Sequence, residues 1–260
     1  MSWFGVHDSI AKNTRACAYS RAGIMWSDPV GVQSGEGIAA DLHTALNKAG
    51  EHPPYVLVAH SLGGPYAMIY TKNYGSEVAG LVFVDASHPD QVSRMRSLTS
   101  WNLADAMKTV RRASHLGRLG IIRKLSAADS APPEPAYAVR ATAAYTPTSL
   151  PAMLKEVDAF KGTLAEAGTI RNLGDRPLFV LTSTKPKSKQ DRIDMNLTDA
   201  QATEYTARWV GLQNDEASWS TRSRHQLVPE SGHYIQFEKP DLVIAAVRSV
   251  IDSVRATPEH

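Results

Sequence analysis

The chain has 260 residues, of which 43% are hydrophobic and 21% charged, with a formal net charge of +2. That length suits one large core or at most two small ones, and the near-neutral balance gives no reason to expect nucleic acid as a partner. The single cysteine, Cys17, excludes an internal disulfide, and the start lacks a basic-then-apolar secretory pattern. With no run of about 18 uncharged apolar residues, the default expectation is a cytoplasmic protein without a membrane span.

Residues 3–12 read as a short helix and Thr14–Ser20 as a short strand, followed by a loop marked by Ser27, Pro29 and Gly31. Residues 37–50 place Ile38, Leu42 and Leu46 at helical spacing and end on Gly50. After Pro53 and Pro54, the run Tyr55–Ala59 is continuously apolar, as expected of a strand buried on both faces. A helix over 64–74 and a second buried strand over Gly80–Ala86 come next. Residues 87–173 are helical in tendency but broken by Pro132, Pro133, Pro135, Pro147 and Pro151. Arg176–Ser183 reads as a third buried strand, 199–215 as a helix and 224–230 as a last strand. An amphipathic helix over 240–256 carries proline at its start. Strands alternating with helices predict an α/β fold with a mostly parallel sheet, built from residues 1–91 and 173–260, with 92–172 inserted as a helical cap. Catalytic groups in such sheets gather at the carboxyl ends of the strands.

The stretch Ala59-His60-Ser61-Leu62-Gly63 sits between a predicted strand and a predicted helix. It fits a nucleophile elbow, in which a serine on a tight strand-to-helix turn exposes its hydroxyl. Small residues two before and two after the serine are expected because larger ones would collide. The Leu62 amide, at the positive end of the following helix, becomes an oxyanion donor. The bland alternative is a glycine-rich turn without chemistry. His60 points away from its neighbour and reads as a packing or supporting residue rather than the base.

A serine hydroxyl needs a base, and the base an orienting group. His233, in the loop between the last strand and the closing helix, fits the base. The acid is less direct. After the third buried strand no carboxylate appears until Asp191, whereas Asp85 stands at the carboxyl end of the second, where an unpaired buried charge would be costly. Asp85 is therefore the expected acid, with Asp191, Asp194, Asp90 and Glu230 as alternatives. His88 follows Asp85 and reads as a loop residue. One cysteine and no His-x-x-x-His pattern give no metal site, and no cofactor is expected.

Three blocks, residues 14–29, 53–91 and 231–252, resemble a bacterial subgroup of the serine α/β-hydrolases. The resemblance implies an α/β-hydrolase fold and a serine, acid and histidine that cleave esters or related acyl bonds. It is similar also to haloalkane dehalogenases in the position of Asp85, but their nucleophile is a carboxylate, which Ser61 argues against. The first block departs from the pattern: Ser20 stands for an aspartate and Ile24-Met25 for a Tyr-Gly pair. The relatives carry further strands before this block and draw a second oxyanion N–H from a loop there. A shortened amino end is therefore expected, with a gap beside the strand ending at Ser61 that direct pairing, another segment or a homodimer would fill. The loop 22–27 is a candidate for the second donor.

The function expected is hydrolysis of a small-molecule carboxylic ester by Ser61, His233 and Asp85. The alternatives are a non-catalytic ligand-binding protein on the same scaffold, or thioester hydrolysis, acyl transfer or perhydrolysis on the same triad. The basic stretch 109–124 reads as a solvated cap face before a membrane-surface contact.

Overall fold

The computed structural model describes residues 3–29, 33–99, 105, 107–108, 111–112 and 136–256. The basic stretch 109–124, apart from Arg111 and Arg112, lies outside the described residues, as do Pro132, Pro133 and Pro135. The elements run α1 (Phe4–Ala11), α2 (Gly35–Lys48), β1 (Tyr55–His60), α3 (Gly63–Asn73), β2 (Val78–Val84), α4 (Gln91–Met95) and α5 (Ala136–Ala167). They continue through β3 (Leu178–Ser183), α6 (Lys189–Met195), α7 (Asp199–Ala217), β4 (Ser223–Val228), α8 (Ile235–Glu238) and α9 (Pro240–Arg255).

The four strands form one parallel sheet in the order β1-β2-β3-β4. Successive side chains of a strand point to opposite faces, and helices cover both. Leu81 and Phe83 of β2 join Leu178, Val180 and α3 in one core; Val82 and Val84 join Leu181, α1 and α9 in the other. That double coverage explains why β2 and β3 read as unbroken apolar runs. No helix among the described residues is long and apolar enough to cross a membrane.

Two expectations are corrected at the amino end. Residues 14–20 form no strand. The chain there is largely exposed, with Ala16 packed against the core of Val82, Val84 and Leu181 and its carbonyl accepting from His7 Nε2 at 3.2 Å. A strand needs a neighbouring ladder, and this segment has none among the described residues. As a result β1 is an edge strand, half-buried along most of its length rather than buried on both faces. Ser61 N donates to Val84 O at 3.4 Å, so Leu57, Ala59 and Ser61 aim their backbone groups at β2. By alternation those of Val56, Val58 and His60 point outward, and no backbone bond joins them to another described segment.

The inserted block is helical where described, but two of its prolines do not break it. Pro147 and Pro151 both lie inside the 32-residue α5. Each removes a backbone donor, and tertiary anchors hold the helix instead. Ser149 Oγ accepts from Met25 N at 2.9 Å, Leu150 and Leu154 pack with Met107, and Glu156 grips Arg21 through two bonds of 2.7 and 2.8 Å.

Native-state amide exchange should find Val56, Val58 and His60 exchanging faster than Leu57 and Ala59. Equal protection of both sets would mean that a further strand covers this edge.

Candidate active site

β1 delivers Ser61 at its carboxyl end in the left-handed backbone region, at φ 53°. A side chain pays for that conformation in strain, which is characteristic of functional turns. Gly64 N donates to Ser61 O at 3.0 Å and Ser87 N to the same oxygen at 2.9 Å, so the turn is tied to the chain leaving β2. Leu62 caps α3 and its N–H makes no backbone hydrogen bond to a described residue, which leaves it open as a donor.

The small residues around the turn work differently from the sequence expectation. A methyl built on Gly63 would meet Ala59 Cβ at 3.6 Å, an ordinary contact. A methyl on Gly64 would meet Ala86 Cβ at 2.7 Å, which the packing does not allow. The tight approach is between α3 and the segment after β2, not across the elbow itself.

β2 ends one position away in the next strand, since His60 and Val84 are register partners. Asp85 also takes a left-handed conformation, at φ 45°, and is only 2% exposed. Its Oδ2 lies 2.7 Å from His233 Nδ1 and accepts from Ser183 Oγ at 2.9 Å. Its Oδ1 accepts from Ser183 N and from Trp209 Nε1, each at 2.9 Å. A carboxylate only accepts, so Nδ1 of His233 carries the proton and Nε2 is left as the basic nitrogen. The imidazole is partly open, with its side chain 41% exposed.

His60 does not act as a base candidate. Its Nε2–H donates to His233 O at 2.9 Å, and the two rings lie 4.6 Å apart. Burial and the neighbouring imidazole push His60 down to about 4, so it stays neutral and keeps that N–H. Gly232 N donates to Glu238 Oε1 at 3.1 Å, a second tie on the loop that carries His233.

The structure thus brings Asp85 and His233 into direct contact beside the elbow. The Ser61 hydroxyl and His233 share no hydrogen bond in this arrangement, a spacing common in free active sites that tighten around substrate. The other acid candidates are engaged elsewhere. Asp191 closes a capping box with Ser188 on α6, Asp194 accepts from Gln190, Asp90 pairs with Arg171 at 2.8 Å, and Glu230 is exposed. His88 is not a plain loop residue: it is fully buried, accepts from Asp90 N and donates to Asp215 at 2.8 Å. In the loop 22–27, Gly23, Ile24, Met25 and Ser27 already commit their N–H groups to other partners. Met25, where the resemblance implies a glycine, adopts φ 55° and bears the strain a glycine would avoid.

Two supporting residues escaped sequence reasoning. Ser183 was only the last residue of a buried strand. Trp209 lies on the face of α7 shared with Ala202, Leu212, Gln213 and Glu216, and the polar groups mixed into that helical stripe were the available signal. Glu216 is itself buried, with Oε2 unpartnered among the described residues, and burial, aided by the charges of Asp85 and Asp215, holds its carboxyl well above the usual range.

The parallel sheet with helices on both faces is the scaffold that comparison with known proteins also finds. A model of the alpha/beta hydrolase family matches residues 3–246. The chain belongs to that family, which supports a hydrolytic function. In solved structures, an esterase from Thermogutta terrifontis is similar over 97% of this chain and 85% of its own, with TM-score 0.60 and 18% identity. A Pseudomonas aeruginosa protein described as a candidate epoxide hydrolase is similar over 98% and 84%, with TM-score 0.65 and 15% identity. These identities speak for the fold alone. Among curated relatives, a Schizosaccharomyces pombe protein is 47% identical over 78 residues, covering 30% of this chain and 15% of the relative. A Bacillus subtilis protein, YbdG, is 27% identical over 88 residues, covering 34% and 27%. The chain therefore matches well under a third of either relative's length.

Two outcomes follow for stability. Gly64→Ala should cost about 1–3 kcal/mol through the Ala86 clash, while Gly63→Ala should be near neutral; chemical denaturation of both variants measures this. For Glu216, the native state keeps a proton that the unfolded chain releases above about pH 4.3, so stability falls as pH rises past that point. Glu216→Gln should therefore shrink the drop in Tm between pH 5 and pH 8, and an unchanged drop would show Glu216 ionised in the native state.

Proposed function

We propose that the protein hydrolyses carboxylic esters through an acyl-enzyme on Ser61. The observation that carries this reading is the 2.7 Å contact between His233 Nδ1 and the buried Asp85 carboxylate, next to a serine in a strained elbow. His233 Nε2 removes the Ser61 proton as the hydroxyl attacks the ester carbonyl. The charge that develops on the carbonyl oxygen meets the Leu62 N–H at the start of α3. The same imidazole, now protonated, gives its proton to the departing alkoxide, then activates water to release the acid. Asp85 holds the ring in one tautomer and offsets its positive charge. A carboxylate nucleophile is not available at the elbow, which separates this reading from ring-opening on an aspartate. The inserted block 92–172, helical where it is described, is read as the cap that encloses the substrate.

A fluorophosphonate probe should label Ser61 in the folded protein, and labelling should vanish in Ser61→Ala. A folded wild-type protein that stays unlabelled would favour ligand binding without catalysis. On a p-nitrophenyl ester, Asp85→Asn should lower kcat by about 10³–10⁴-fold. Asp191→Asn should leave kcat unchanged and cost about 1 kcal/mol of stability from its cap. A rate loss confined to Asp191→Asn would reassign the acid.

A further inference from the structure

The Asp85 carboxylate receives donors from three separate parts of the chain. Ser183, at the end of β3, donates to both oxygens through its backbone N–H and its hydroxyl, and His233 takes Oδ2. The remaining donor is the Trp209 indole, reaching Oδ1 from α7 at 2.9 Å. We propose that Trp209 is a positioning residue of the acid–base pair: its N–H holds the carboxylate oxygen that His233 does not use, and so fixes the plane that presents Oδ2 to the imidazole. This inference rests on the triad reading above and adds a residue to it.

Three features support a hydrogen-bonding role over plain packing. An indole N–H donates and never accepts, so it can only favour the ionised carboxylate. It approaches the oxygen opposite the imidazole, where a donor resists rotation about the Cβ–Cγ bond. Trp219, just past the end of α7, gives the contrast: it is buried in the main apolar core, and its Nε1 has no hydrogen-bond partner among the described residues. A tryptophan here need not find an acceptor, and Trp209 has found the acid.

The bond also ties α7 to the site. Gln213, one turn further along, donates from Nε2 to Ala86 O at 2.9 Å, directly after the acid. The helix therefore grips the end of β2 at two points, one on the carboxylate and one on the main chain.

The experiment compares the whole wild-type protein with Trp209→Phe and with a protein in which residue 209 is 3-benzothienylalanine, whose sulfur replaces the N–H while the ring keeps its shape. Thermal unfolding confirms folding of each. Steady-state kinetics on a p-nitrophenyl ester should give a kcat lower by roughly 10–100-fold with KM little changed in both variants, the loss expected of one charge-assisted hydrogen bond. Proton NMR should find the downfield His233 Nδ1–H resonance, identified by its absence in His233→Gln, shifted and broadened in both. If the benzothienyl protein retains wild-type kcat and an unaltered resonance, Trp209 is a packing residue and the proposal fails. The resonance is read without turnover, so a wild-type protein that does not react with fluorophosphonate would sink the ester-hydrolase reading and leave this test standing.

Discussion

The site depends on one buried charge. Asp85 ends a strand whose neighbours on both faces are apolar, and it is almost wholly withdrawn from water. An unpaired carboxylate in such a place is strongly unfavourable, so the chain around it is arranged to supply donors. β3 must end level with β2 for Ser183 to reach it, α7 must pack on the sheet for Trp209 to reach it, and the loop after β4 must fold back for His233 to reach it. The contacts that satisfy the charge are also those that bring His233 against Asp85.

The second constraint is strain at two adjacent strand ends. Ser61 and Asp85 both take left-handed backbone conformations, at φ 53° and 45°, and the main chain of Ser61, donating to Val84 O and accepting from Ser87 N, ties the two turns together. The close approach between Gly64 and Ala86 leaves no room for a side chain where α3 begins beside Ser61. His60 adds a tie from the elbow to the main chain of His233, and it can do so across the working pH range because its depressed affinity for protons keeps it neutral. Rigidity of this kind favours a site whose groups are oriented before substrate arrives.

Much of this was legible in the residues. β2 and β3 announced themselves as unbroken apolar runs because helices cover both faces of the sheet, and the Ser61 turn by its place between a strand and a helix. Asp85 was favoured over Asp191 from its place at a strand end; the structure sets Asp85 against His233 and Asp191 in a helix cap. The misreadings share one cause. Thr14–Ser20 has strand-like residues but no ladder to join, α5 passes through two prolines because Arg21, Met25 and the small apolar cluster anchor it, and β1 is as apolar as a central strand yet lies at an edge. Local pattern reports what a segment can do; its neighbours decide whether it does.

The sequence by itself determined the parallel α/β order and placed a serine turn, an aspartate and a histidine at the carboxyl ends of strands or in the loops that follow them, because these follow from periodicity and strand-end position. Only the tertiary structure decided which groups complete the site. Ser183 and Trp209 lie 98 and 124 residues from Asp85 along the chain, and His88, close in sequence, is turned away to Asp215. Hydrogen bonds of that range are set by how helices and strands pack, which no local stretch of residues encodes.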